Sequence, residues 1–369
     1  MYDLDLKEFW AKDELAHRDN CFSPDAPQAA LGIRMSEECF YAELGEEGNP
    51  FARPPRERYL ELARRYNDKA ETIVGRRLLP ETLSPEDSWM PSPKGIGEVF
   101  GGRYEFRGSN WLMRGLHNEK ELEQRLDFID KLNFREFVLP ENWEAEKKRI
   151  FETYGQKPRP WRSVRGPVTL ACSVFGAEEL IYLIMDEPDL ARRFCDTIFH
   201  VIKQYIDLLD AERGGTVGDS RGFSFYDDDC NLLNPEMYEL FGYPILKKVF
   251  DYVCPNPEDN RYQHSDSAMA HLLPILGPLN FTGCNFGPTV TVEEIRKYMP
   301  RTRIDGQLSP ITFMHNDEEA IIAEVRRDCE AAKRTGRGLN VYTAGSINNG
   351  SLLTSMKAVM WAISEYGQY

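Results

Sequence analysis

The chain has 369 residues, 41% of them hydrophobic, which is enough for a large core, and its formal net charge is −15. This acidic balance disfavours nucleic acid and anionic membrane surfaces as partners, because both present phosphates that basic stripes recognise. The N-terminus lacks the basic-then-apolar order of a secretory signal, and no apolar run approaches the ~20 residues of a membrane span. Eight cysteines without Cys-x-x-Cys spacing are typical of free thiols, so we expect a cytoplasmic protein.

The first 160 residues are predicted to be mostly helical. Apolar residues recur at helical spacing, and Ser36 and Pro55 are favourable helix starts. The predicted helices are 4–17, a segment from Ser36, 55–73, 118–133 and 139–154. Two short apolar runs, 29–35 and 88–90, are predicted strands. Residues 101–113 alternate strongly around a Gly-Ser-Asn turn, which predicts a β-hairpin that decorates a larger fold.

From residue 166 onward, strand-like runs alternate with amphipathic helices. The predicted strands are 167–174, 222–226, 262–264, 279–284, 303–308 and 339–343. The predicted helices are 177–212, 234–253, 267–276, 291–299, 316–335 and 351–366. Such alternation indicates parallel βαβ units with right-handed crossovers.

Together with the two early runs this pattern gives eight strands. We therefore predict an α/β fold of the (β/α)8 TIM-barrel type over 29–369, preceded by an N-terminal helical extension at 1–28 and interrupted by the hairpin at about 101–113. A doubly wound open sheet is the alternative. The first strand is not followed by Gly-x-Gly-x-x-Gly, which disfavours a dinucleotide-binding fold.

Polar side chains collect where the last five predicted strands end. In a barrel these carboxyl ends share the catalytic face. The polar residues there are Asp227, Asp228, Asp229, His264, Asp266, Cys284, Asn285, Asp305, Gln307, Ser346, Asn348 and Asn349. Their convergence indicates an active site more strongly than any one of them does.

Three consecutive carboxylates, Asp227, Asp228 and Asp229, are predicted to be catalytic. Crowding of like charges raises the pKa of one carboxyl, which supplies a proton donor, or the group holds a cation. A solvated turn or a helix cap is the alternative interpretation of this acidic run. Tyr226 immediately precedes it and is predicted to contact the substrate.

His264 and Asp266 are predicted to lie on one face of an extended segment, since alternate residues of a strand share a face. They are candidates for metal ligands, or for a base and the carboxylate that orients it. Cys284 is a candidate third ligand, although free cysteine is usually buried filling. We predict that the remaining polar residues contact a small-molecule substrate: Asn285, Gln307, Ser346, Asn348 and Asn349. For the last two, a tight turn is the alternative.

Residues 227–251 resemble the "DD…LSPEMYEEF…P…K.IFD" segment of the uroporphyrinogen decarboxylase superfamily, which includes cobalamin-dependent methyltransferases. Three further segments resemble the family in the same order: 166–190, His264-Ser265-Asp266, and 345–367 with its final Glu-Tyr-Gly. The resemblance covers about residues 160–369. It implies a (β/α)8 barrel, in agreement with the strand count.

Two departures from the family pattern narrow the expected chemistry. The arginine-rich "MRQAGR" segment of the tetrapyrrole decarboxylases is replaced here by a sequence with the single arginine Arg34. Thiol-directed methyltransferases of the family hold zinc through His-x-Cys and a later Gly-Cys, but Asp266 and Ser346 stand at those cysteine positions. A carboxylate and a hydroxyl make a poor thiolate-type zinc site.

The resemblance therefore implies a methyltransferase that moves a methyl group from a small methylated substrate to a corrinoid protein. Zinc or another divalent metal is the expected resident ion, and the corrinoid is expected on the partner. A cofactor-independent decarboxylase or lyase that acts on a small acid is one alternative, and a non-catalytic ligand-binding relative is another. A homodimer is left open, as is the role of the hairpin as a cover of the barrel mouth or a subunit contact.

Overall fold

The computed structural model describes residues 2–106, 110–157, 159, 164–214 and 222–369. Within these residues, seven strands form one parallel sheet in the order β1-β9-β8-β7-β6-β5-β4, and helices flank it. Two further strands, β2 and β3, form an antiparallel hairpin. The strands are β1 Ala30–Leu31, β2 Arg103–Phe106, β3 Asn110–Met113, β4 Val164–Arg165, β5 Phe223–Tyr226, β6 Arg261–Ser265, β7 Gly283–Phe286, β8 Arg303–Leu308 and β9 Leu339–Thr343.

Helices account for most of the remaining chain. They are α1 Leu6–Ala16, α2 Arg18–Cys21, α3 Phe40–Leu44, α4 Arg56–Val74, α5 Ile96–Val99, α6 Glu119–Ile129, α7 Phe134–Val138, α8 Trp143–Tyr154, α9 Pro167–Phe175, α10 Ala177–Asp186, α11 Pro188–Glu212, α12 Pro235–Leu240, α13 Gly242–Val253, α14 Leu273–Leu276, α15 Val292–Tyr298, α16 Pro310–Met314, α17 Glu318–Thr335 and α18 Leu353–Tyr366. The predicted α/β class with a parallel sheet is confirmed.

The chain divides into two compact units. Unit one comprises residues 1–83, 264–273 and 280–369, and unit two comprises 84–263 and 274–279. In unit one, β7, β8, β9 and β1 pair in parallel, and α17 packs against α18 and against β8 and β9. In unit two, β4 pairs in parallel with β5. There α11 packs against α13, and the ring of Phe194 makes edge contacts with three other phenylalanines.

The N-terminal segment is attached to unit one by polar contacts. Buried Asp13 in α1 accepts a hydrogen bond of 2.7 Å from the Leu31 backbone N–H of β1. Asn20 donates through Nδ2 to the Thr282 carbonyl at 2.7 Å, although its backbone φ of 54° lies in the left-handed region. Asparagine tolerates that conformation better than most residues do, because its short polar side chain bonds locally.

Three predicted strands are wrong or displaced. Residues 167–174 form α9, because a short apolar run does not distinguish a buried helix from a buried strand, and Pro167 at the first helical position favours the helix. The strand of this region is the preceding pair, Val164–Arg165. Residues 88–90 form no strand; a 3-10 turn at Glu86–Ser88 stands there, and Pro91 lacks the N–H that a central strand needs. The strand predicted at 279–284 is Gly283–Phe286.

Most helices lie where the apolar spacing predicts them. Asn234 caps α12 through its side chain, although the predicted helix 234–253 is divided at Phe241 into α12 and α13. Thr291 and Glu294 form the predicted capping box of α15. The predicted hairpin is confirmed as β2 and β3, while its turn at 107–109 lies outside the described residues. No single helix among the described residues is long and apolar enough to cross a membrane; α9 and α10 pass that test only jointly, and they are bent by 105°.

Candidate functional site

The end of β6 presents His264 within unit one. The ring is half-buried, and its Nδ1 lies 2.7 Å from Oδ1 of Asn285 in β7. Asn285 is itself only 3% exposed. Its Nδ2 donates to the Thr343 carbonyl of β9 at 3.0 Å and also to the Asp305 carbonyl of β8. The histidine predicted from the sequence is therefore hydrogen-bonded to a residue that also bonds to two further strands.

Asp266 follows β6 directly and is exposed. A Cβ atom built on Gly345 would lie only 3.2 Å from Oδ2 of Asp266, and one built on Gly287 would lie 2.8 Å from its backbone carbonyl. Gly345 has a φ of 130°, a backbone conformation that favours glycine. The structure thus brings Asp266 to the turn that contains Gly345 and the exposed Ser346; that these residues share a site stays a prediction.

Gln307 is fully buried at the end of β8. Its Nε2 donates to the carbonyls of Gly287 and Val290 at 2.9 Å and 2.7 Å, so this side chain holds the loop that follows β7. Asn348 and Asn349 are half-buried, and the Ser351 backbone N–H closes a turn onto the Asn348 carbonyl at 3.2 Å. That these three residues contact a substrate stays a prediction.

Cys284 does not meet His264 in the structure. It neighbours Asn285 in β7, and successive side chains of a strand point to opposite faces. Because Asn285 points to the histidine, Cys284 points away from it. The thiol is fully buried, and this burial raises its pKa, while Asp305 acts in the same direction and Arg296 and Arg303 oppose it. A thiolate ligand is disfavoured in these surroundings.

Asp227 lies in unit two, where it is completely buried. Its Oδ1 accepts a hydrogen bond of 2.8 Å from the Thr169 backbone N–H, which is in the first turn of α9. Gly166, the N-cap of α9, has no side chain to cap the helix, and a Cβ there would lie 2.1 Å from Cβ of Asp227. The carboxyl of Asp227 therefore caps α9 from the neighbouring strand.

The pKa of Asp227 is raised to about 7, chiefly by burial; the hydrogen bonds from Thr169 oppose this shift, and Asp228 and Asp229 add to it. Its Oδ2 is buried and has no hydrogen-bond partner among the described residues. Because desolvation disfavours the charged form, this carboxyl keeps its proton to a higher pH than an exposed aspartate does.

The other members of the acidic run are more accessible. Asp229 is half-buried, and its backbone N–H donates to Oγ1 of Thr169 at 2.9 Å. Burial raises the pKa of its carboxyl, and Arg165 lowers it. Asp228 is half-buried, and Tyr226 is 39% exposed. Of the predicted catalytic triplet, Asp227 is thus the only member that the protein encloses.

Sequence reasoning missed two residues that shape these surroundings. Thr169 contacts two members of the acidic run, and no signal revealed it, because its segment was interpreted as a strand. Arg303 pairs with Asp305 through Nε–Oδ1 and Nη2–Oδ2 contacts of 2.7 Å and 2.8 Å. The Arg-x-Asp spacing in a predicted strand was an available signal, since it places both residues on one face.

Two of three comparisons with known proteins find matches. The family model described as uroporphyrinogen decarboxylase (URO-D) matches residues 163–366, which is more than half of the chain. A solved structure described as a methyltransferase from Methanosarcina mazei is similar, with a TM-score of 0.58 and 16% sequence identity over 99% of each chain. At this identity the likeness shows the fold alone. No curated protein matches the chain.

Proposed function

The chain belongs to the uroporphyrinogen decarboxylase family, and on that basis we propose that it is a methyltransferase that moves a methyl group from a small methylated substrate to the cobalt of a corrinoid on a separate protein. The family fold is a TIM barrel, in agreement with the parallel sheet and flanking helices of this chain. A solved methyltransferase has a similar fold, which is compatible with the methyltransferase branch of the family.

The arrangement of His264 and Asp266 is the observation that carries this proposal. The imidazole stands near the end of β6 and is held by Asn285 at 2.7 Å, while the exposed carboxylate lies beside the turn at Gly345. A titratable nitrogen and a carboxylate that are both accessible at strand ends are suited to a reaction in which a heteroatom leaves the methyl group.

The side chains present do not fit the thiolate zinc site of the thiol-directed family members. Asp266 and Ser346 stand in place of the sulfur ligands, and Cys284 lies on the other face of β7. Imidazole nitrogen and carboxylate oxygen do fit a divalent ion such as zinc bound through nitrogen and oxygen. His264 and Asp266 would hold it, and when bound it would polarise the leaving oxygen or nitrogen.

The protein's own groups contribute proton transfer and positioning. In the proposed step, the bond between the methyl carbon and its oxygen or nitrogen breaks, the methyl group bonds to cobalt, and the leaving heteroatom takes up a proton. Where no ion is bound, His264 is the proposed source of that proton, because imidazole is the side chain that most often acts as a general acid. Asp266 is proposed to hold the substrate's heteroatom or the ion beside the histidine.

The test is a panel of methoxylated and methylated-amine compounds, incubated with the protein and a reduced corrinoid protein. We expect methylcobalt absorbance with at least one compound, and loss of that signal in His264→Ala. The control is His315→Ala, which removes an exposed histidine of the same unit. Failure across the whole panel, or equal signals from His264→Ala and wild type, would count against the proposal.

Decarboxylation is the second candidate, and the state of Asp227 favours it. Burial favours the protonated form of this carboxyl, and protonation of a carbanion completes a decarboxylation. Release of carbon dioxide from a small acid without any corrinoid protein would support this function. Methylcobalt formation without carbon dioxide would exclude it.

A further inference from the structure

We propose that Asn285 is a positioning residue that fixes the ring proton of His264 on Nδ1, so that Nε2 is the nitrogen that carries the lone pair. The inference goes beyond the proposed function, because the tautomer is a property of the protein without substrate or ion. It holds or fails whether the chain transfers methyl groups or removes carboxyl groups.

The orientation of the Asn285 amide is determined by its two acceptors. Nδ2 donates to the Thr343 carbonyl at 3.0 Å and to the Asp305 carbonyl, and a carbonyl oxygen only accepts. If the amide were turned over, its oxygen would face two other oxygens and both hydrogen bonds would be lost. The oxygen of the Asn285 amide is therefore the atom that faces His264.

An amide oxygen facing Nδ1 at 2.7 Å requires a proton on that nitrogen. A neutral imidazole has one donor and one acceptor nitrogen, so a proton on Nδ1 leaves the lone pair on Nε2. This is the way in which a hydrogen bond to one ring nitrogen selects the reactive nitrogen at metal and acid–base sites.

The two carbonyls that accept from Asn285 lie in paired strands and are shielded from water. The carbonyls belong to β8 and β9, which pair in register from Ile304↔Leu339 to Leu308↔Thr343. Asn285 is only 3% exposed, and its neighbours in β7, Cys284 and Phe286, are fully buried. Water therefore does not compete for the amide, and the strands rather than solvent select the tautomer.

Nitrogen NMR of the wild-type protein tests the proposal without any substrate. The protein is labelled with 15N-histidine, treated with chelator, and observed through two-bond proton–nitrogen correlations at a pH where His264 is neutral. The chain has six histidines, and the signals missing from His264→Gln identify the ring. We expect a protonated Nδ1 and an unprotonated Nε2. A proton on Nε2, or an equal mixture of tautomers, would overturn the proposal.

Two matched variants separate positioning from general damage to the strands. Asn285→Ala removes the amide, and any water that replaced it would donate as readily as accept, so we expect a mixture of tautomers. Asn340→Ala removes another asparagine amide of the same sheet, which donates to the Asp305 carboxylate at 2.8 Å, and we expect it to retain the Nδ1 proton. An unchanged tautomer in Asn285→Ala would contradict the proposal.

Zinc affinity gives a second readout of the same pair of variants. Loss of the partner that orients a ligand typically weakens metal binding roughly 10–100-fold, so we expect that loss in Asn285→Ala and wild-type affinity in Asn340→Ala. Equal weakening in both variants would assign Asn285 a merely structural role. If Asn285→Ala does not fold, the wild-type tautomer alone decides the question. If neither the wild type nor the variants bind zinc, the proposed zinc site is contradicted. The NMR result on the tautomer is unaffected by that outcome.

Discussion

The His264–Asp266 region of unit one and the Asp227–Asp229 region of unit two begin from the same sequence signal, polar residues that follow a buried strand. In unit one the half-buried imidazole is held by Asn285, and the carboxylate of Asp266 is exposed beside Gly345. In unit two the first carboxyl is completely enclosed and caps a helix. Position at a strand end therefore does not by itself identify a reactive side chain. Burial and hydrogen-bond partners distinguish a reactive side chain from a structural one.

Substitution of Asp266 is expected to have the largest effect on activity and a small effect on stability. Asp266→Asn keeps the shape but removes the charge, and we expect methyl transfer to fall by about 10²–10⁴-fold, the range that acid–base groups supply. Because the side chain is exposed, the free energy of unfolding should change by less than about 0.5 kcal/mol. Initial rates and urea unfolding check this, and an unchanged rate would remove Asp266 from the site.

Substitution of Asp227, in contrast to that of Asp266, is expected to have a large effect on stability and a small effect on activity. Asp227→Ala leaves the Thr169 N–H in the first turn of α9 without its acceptor, and we expect a loss of about 1–3 kcal/mol in the free energy of unfolding. The matched control is Asp189→Ala, whose side chain is 98% exposed and whose loss should cost less than about 0.5 kcal/mol. Equal unfolding midpoints for the two variants would refute the capping role.

Substitution of two glycines tests whether the space beside Asp266 matters for metal binding. Gly345→Ala and Gly350→Ala both place a side chain at a positive φ, 130° and 101°, and each should cost about 1–3 kcal/mol. A Cβ at Gly345 would lie 3.2 Å from Asp266, whereas the nearest atom to one at Gly350 is Cγ of Met314 at 3.6 Å. We expect only Gly345→Ala to weaken zinc binding as well. Calorimetric titration of both variants provides the comparison.

The smallest expected effect is a change in how stability depends on pH. The pKa of Asp227 is raised from 3.8 to about 7 by burial, so between these values the folded state keeps a proton that the unfolded state has lost. The stability that this carboxyl contributes is fully present below pH 3.8 and is lost as the pH rises through 7.

Asp227→Asn stays neutral at every pH and should lose this dependence. Urea unfolding at about pH 5 and about pH 8, in wild type and in Asp227→Asn, isolates the contribution of one carboxyl from those of all others. We expect the wild type to lose more stability than the variant between the two conditions. Parallel behaviour of the two proteins would mean that the pKa of Asp227 is ordinary.

Much of the fold follows from local sequence patterns. Strands and helices alternate at short range from residue 222 onward, and caps such as Thr291 and Asn234 are local signals, so most of those elements were predicted, although β7 is displaced and the helix at 234–253 is divided. The run 167–174 was not, because its apolar residues suit either element and only tertiary packing selects the helix. The prediction of a strand at 88–90 was wrong because the neighbouring prolines lack the N–H that a paired strand needs.

The sequence identified candidate residues of the site, but not the hydrogen bonds and burial that decide what each residue does. Strand ends identified His264, Asp266 and Asn285 from the sequence alone. The hydrogen bonds of Asn285 to Asp305 and Thr343 join residues 20 and 58 positions apart, and a sequence pattern carries no information about such pairs. The burial of Asp227 is equally non-local, since it depends on the absence of a side chain at Gly166.

Zinc titration of three proteins tests the central contrast most directly, since it needs no knowledge of the substrate. Wild type, His264→Ala and Asp227→Asn are each freed of metal with chelator and titrated in a calorimeter. If His264 and Asp266 hold the ion, wild type and Asp227→Asn bind one zinc ion with similar affinity, and His264→Ala loses this binding. Binding that survives in His264→Ala but is lost in Asp227→Asn would place the chemistry in the other region and contradict the account.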